Sequence, residues 1–180
     1  MSRTHRIASS LLSITAAAAM AFSAGPAQAA PAKTAATVVC TGGQTQTYSP
    51  PLGPLPRDTL VGLDEQLTCL GGPFVTGVGS ASFVQQSSCL LPPPMATILP
   101  PYAITYHWSD GQTSTITYTL TAVVQLANQN VVTATGTVTS GYAQGSIAER
   151  QVTTLDLDVL SCLASGTDEQ HGSEILTILL

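Results

Sequence analysis

Positive charge is scarce in this chain. Five Lys and Arg stand against ten Asp and Glu in 180 residues, and charged side chains of both signs make up only 8%. Arg3 and Arg6 lie at the very start, so beyond residue 29 three basic residues (Lys33, Arg57 and Arg150) face ten carboxylates, a net charge of −7. Phosphate backbones and anionic lipid repel such a surface, which argues against nucleic acid as a partner. Long hydrophobic runs are missing too. Nothing after residue 29 approaches the roughly 20 apolar residues of a membrane helix, and no segment of useful length carries a helical period. The C-x-x-C spacing of metal sites and the G-x-S-x-G elbow of hydrolases are both absent.

The start of the chain has the form of an export signal. Arg3, His5 and Arg6 precede an apolar run from Ile7 to Phe22, and Ala27-Gln28-Ala29 supplies a small-x-small cleavage pattern. The reading is a signal peptide over 1–29, a flexible N-terminal tail over 30–36 and a single domain over 37–180, secreted and free of the membrane once the signal is removed. Cys40, Cys69, Cys89 and Cys162 then lie in an oxidising compartment, where an even count predicts two disulfides. Three pairings are open. If 37–47 and 59–70 form a hairpin around 48–58, opposed positions sum to about 107, which places Cys40 near Cys69 with an offset that a bulge absorbs. Cys89 is left for Cys162.

Alternation marks the strands. Thr59–Leu70 places Val61, Leu63, Leu67 and Cys69 on one face, with Glu65 as the exception, and Gly77–Gln85 is a weaker strand with two glycines. Ser88–Pro101 is proline-rich and reads as a loop or an edge. Tyr102–Trp108 and Thr113–Leu126 flank an Asp110-Gly111 turn, predicted to be a two-residue hairpin loop. In the second arm Ile116, Tyr118, Leu120, Ala122, Val124 and Leu126 alternate with threonines, and Val131–Ser140 repeats the pattern. Ser146–Leu155 and Glu174–Leu180 complete seven or eight strands. The predicted fold is all-β: an immunoglobulin-like antiparallel sandwich, or alternatively a small β-barrel.

Chemistry-bearing residues are few. His107 and Asp110 could pair near a hairpin tip, but a strand-end histidine beside a turn aspartate accounts for them. Asp156 and Asp158 would share one face of an extended segment, yet two carboxylates are too few for a calcium cage. Asp168-Glu169-Gln170-His171 reads as a solvated loop. The threonine rows suit the outer face of any pleated sheet, and Trp108, Tyr106 and Tyr102 share a face as core rings would. No catalytic residue, cofactor or metal is assigned. The candidate interaction surface is the proline-framed Met95, Ile98 and Leu99 together with Ile178 and Leu180 of the last strand, which is apolar on both faces and would form an exposed edge.

Several motifs, Thr37–Cys40, Trp108–Thr115, Val131–Gly141, Leu157–Cys162 and Ile175–Ile178, resemble those of small secreted actinobacterial (Streptomyces-like) β-sandwich proteins. The chain is more loosely similar to the adaptor subunits of streptomycete umbrella toxin particles. The resemblance implies a fold rather than an activity. The resulting expectation is a secreted, non-enzymatic binding module, an adaptor to extracellular protein or cell-surface glycan. The alternatives are a secreted hydrolase with a site near His107 and Asp110, or a secreted toxin or inhibitor.

Overall fold

The computed structural model describes residues 36–91, 101–126 and 128–180. The expected signal peptide, the expected tail up to residue 35 and the expected Met95, Ile98 and Leu99 surface lie outside the described residues. Eight strands follow one another: β1 (Thr37–Leu52), β2 (Arg57–Leu70), β3 (Thr76–Ser87), β4 (Tyr102–Trp108), β5 (Thr113–Leu126), β6 (Gln129–Gly141), β7 (Ile147–Leu155) and β8 (Thr167–Leu179). A short helix, α1 (Val159–Ser165), lies between the last two. Each strand pairs antiparallel with the next, and β8 returns to pair with β1.

The all-β expectation holds, but the architecture is the closed barrel and not the immunoglobulin-like sandwich. A strand with one apolar face looks the same whether its sheet packs on another or closes on itself. Closure gives the backbone groups of β1 and β8 partners that an open sheet would leave as edges.

Register explains the disulfides. Cys40 lies directly opposite Cys69 in the β1–β2 ladder, with Cα atoms 4.0 Å apart, and the ladder runs without a bulge from Val39↔Leu70 to Ser49↔Leu60. The strands extend further toward their connection than the expected hairpin, which moves the pairing onto Cys40 and Cys69 without an offset. Cys89 bonds Cys162 and ties the β3–β4 connection to α1. We call that end of the barrel, where β1 finishes and β2 begins, the upper end.

The alternation expected for β6 is observed, with Val132, Ala134 and Val138 buried and Thr135, Thr137 and Thr139 exposed. In β5 it holds for Ile116 and Tyr118, then fails. The register shifts between Leu120 and Ala122, and Val124 and Leu126, expected inside, are exposed. One extra residue sends every following side chain to the opposite face.

Three local expectations are corrected. The hairpin loop has three residues, Ser109 to Gly111, because Trp108 N–H bonds Gln112 O at 2.9 Å and Gly111 closes the loop at φ 85°. Asp158 is not on a strand with Asp156: its carboxylate accepts from Leu160 N at 3.1 Å and Ser161 N at 3.2 Å, capping α1. Hydrogen bonds from Ser161, hydroxyl first, hold that carboxyl below its ordinary range. Asp168–His171 belongs to β8 and not to a loop, since Glu169 and His171 pair with Thr47 and Thr45 of β1.

The lower half of the lumen is filled by rings. Trp108 stacks between Phe74, at 4.1 Å, and Tyr106, at 5.3 Å, while Tyr142 packs edge-on against Phe74. Trp108 Nε1–H donates to Ser114 Oγ at 2.9 Å. The two glycines that weaken β3 as a sequence pattern make this packing possible. A Cβ on Gly77 would lie 2.4 Å from the Trp108 ring, and one on Gly79 would lie 2.7 Å from the Tyr106 ring.

Candidate functional site

Three features stand out: an outer apolar patch, an outer groove of mixed lining and a charged lumen. Threonine dominates much of the outer face, including Thr41, Thr68, Thr119, Thr135 and Thr137. The surface around Thr177 departs from this pattern. Val39 lies beside Thr177 on β1, Ile175 and Leu179 flank it on β8, and Ile147 pairs with Leu179 from β7. These four aliphatic side chains are 38–53% exposed, and Leu70, beside Val39, extends them across β2.

The last strand therefore does carry exposed apolar surface, but not through the predicted residues or as an edge. β8 is paired on both sides, to β1 and β7. Ile178 points into the barrel and is fully buried, because its neighbours Leu179 and Thr177 take the outer positions. Leu180 is partly exposed at the end of the barrel.

An open groove of about 920 Å³ crosses the outer face, lined by Thr45, Asp64, Gln66, Thr68, His107 and His171 among others. Both histidines among the described residues thus reach one surface. His171 lies 2.8 Å from Glu169 and 3.3 Å from Thr45 Oγ1. The His107–Asp110 pair is not assembled. Asp110 accepts instead from Gln112, through the backbone N–H at 3.0 Å and the side-chain amide at 2.5 Å. Asp156 accepts from Asn130 Nδ2 at 2.6 Å. Among the described residues no group of three His, Cys, Asp or Glu is placed to hold a metal ion.

The lumen holds the densest chemistry. Arg150 of β7 projects inward, and its Nε donates to Glu65 Oε1 of β2 and to Glu174 Oε1 of β8, both at 3.0 Å. Its Nη2 donates to Glu65 Oε1 at 2.5 Å and to Gln44 of β1. All four residues are at least nine-tenths buried. Glu65 Oε2 and Glu174 Oε2 have no hydrogen-bond partner among the described residues. Burial works against the Arg150 charge, but attraction to Glu65 and Glu174 outweighs it and holds the guanidinium well above its ordinary pKa. Burial, reinforced by Glu65 and opposed by Arg150, pushes Glu174 up to about 8. A cavity of about 40 Å³ adjoins the cluster, bounded by Gln44, Gln46, Arg150 and Thr154 on its polar side and by Phe83, Tyr102 and Val132 on the other. That is room for a few waters rather than an organic ligand.

The sequence contained a signal for this cluster. Glu65 is a carboxylate on the otherwise apolar face of β2. Arg150, between Ala148 and Val152, and Glu174, two before Leu176, occupy inward positions by the same period of two. Burial of one charge implies partners, and the other two breaks in alternation are those partners. Compared with protein-family models, with curated proteins and with solved structures, the chain shows no match in any of the three.

Proposed function

We propose that the protein is a non-enzymatic, secreted protein-binding module that docks a basic partner through the apolar patch on β7, β8 and β1. The observation that carries this reading is the concentration of Val39, Ile147, Ile175 and Leu179 around Thr177, with the exposed carboxylate Glu149 paired to that threonine from β7. Aliphatic side chains without an exposed ring suit a protein better than a sugar, which stacks on aromatics. Charge sets the kind of partner. Eight exposed carboxylates face a single exposed guanidinium, Arg57, among the described residues, so a second copy is repelled and a cationic surface is attracted. The groove, a second face of different chemistry, supports an adaptor role. Two disulfides are consistent with an extracellular location.

The test compares tagged mature protein with the Ile175→Asp/Leu179→Asp double variant and with His107→Ala, each checked for fold by circular dichroism. Capture from culture supernatant should fall at least tenfold in the double variant, weaken with salt and survive in His107→Ala. Capture that is indifferent to the charged patch, or hydrolysis that depends on His107, would overturn the reading.

A further inference from the structure

The charged cluster is independent of the docking patch and has chemistry of its own. Two carboxyl groups meet one guanidinium nitrogen at 3.0 Å each, inside a lumen where every participant is buried. One monovalent cation cannot neutralise two carboxylates in such a place, and an excess buried charge is expelled by taking up a proton. Among the described residues the second oxygens of Glu65 and Glu174 have no hydrogen-bond donor, so the pair has acceptor capacity that a proton would satisfy. We infer that Glu65 and Glu174 together form a proton-binding site that holds one shared proton in the native barrel, and that releasing it destabilises the barrel.

The other groups facing the site do not supply a competing titration near neutrality. Arg150 on β7 stays charged, and burial pushes Tyr102 and Tyr106 on β4 and Tyr118 on β5 upward. Tyr48 on β1 is likewise raised by burial. From β1 the nearer groups are the neutral amides Gln44 and Gln46, and from β3 the backbone of Gly79. β6 presents only Val132, Ala134 and Gly136.

Glu174 holds its proton to about pH 8, against an ordinary value of 4.5. The stabilisation is therefore complete below about pH 4.5 and is lost as pH rises to about 8. Thermal melts of the disulfide-bonded protein should show Tm falling on the order of 10 °C between pH 5 and pH 9. Glu174→Gln keeps the shape of the protonated acid and should melt with little slope across that window. Carbon-13 carboxyl NMR of the wild type reads the site directly and should show one buried carboxyl titrating near pH 8. Two buried carboxyls both ionised at pH 6, or a Glu174→Gln slope equal to the wild type's, would overturn the inference.

Discussion

The two halves of the barrel lumen solve the same problem with opposite chemistry. Below, Phe74, Trp108 and Tyr106 stack into the space that Gly77 and Gly79 leave open, and the one indole N–H is satisfied by Ser114. Above, Arg150, Glu65, Glu174 and Gln44 bond one another beside a small cavity. Ring packing is indifferent to pH and tolerates no added atom. A charged cluster is sensitive to pH and tolerates no missing partner. An eight-stranded barrel is just wide enough to be filled by side chains, and here the charged cluster is set between the Phe74, Trp108 and Tyr106 stack and a second group of rings, Phe83 and Tyr102.

The sharpest way to break the upper half is Arg150→Met, which leaves two carboxyls buried without their cation. The expected loss is about 3–5 kcal/mol, read by denaturant unfolding. Replacing all three charges together, as Arg150→Met with Glu65→Leu and Glu174→Leu, should recover most of that loss, since buried ion clusters often do no better than apolar side chains. A triple variant as unstable as the single one would show that the cluster contributes through more than its own neutralisation. In the lower half Gly77→Ala should cost about 1–3 kcal/mol by crowding, equally at pH 5 and pH 9. A pH-dependent penalty there would couple the two halves. The smallest effect is expected outside the lumen. A Cβ at Gly111 meets no neighbouring atom within 4 Å, so Gly111→Val is resisted chiefly by its φ of 85°, at about 1 kcal/mol in a thermal melt.

Much of the fold was legible because alternation is local. The boundaries of Tyr102–Trp108 and Thr113–Leu126 follow from it, while Cys40–Cys69 follows from counting register across one hairpin and Cys89–Cys162 is the pair that remains. What escaped depends on distant residues. Closure is a contact between β1 and β8, more than a hundred residues apart in the chain, and no window along the sequence contains it. The exposure of Val124 and Leu126 depends on one irregularity near Leu120, which no turn residue announces. Asp158 looked like a strand residue because Leu155, Leu157 and Val159 alternate with it, whereas its carboxylate caps a helix too short to show a period. The outer patch was half legible. The apolar character of the last strand was plain, but which of its side chains faced out depended on the closed sheet.

The seats of the charged cluster carry a consequence for how this molecule is made. Gln44, Glu65, Arg150 and Glu174 come from β1, β2, β7 and β8, the strands on either side of the seam where the two ends of the ladder join. Each hairpin can form by itself from neighbours in the chain, and none of them alone neutralises Arg150 and both carboxyls. The cluster is completed only when β8 finds β1, the contact of longest sequence separation and the slowest to search for. A slip of one residue at that seam would turn Glu174 or Gln44 outward and leave the guanidinium under-partnered. The charges thus act as a keyed clasp: only the barrel closed in the native register gives Arg150 its full set of partners.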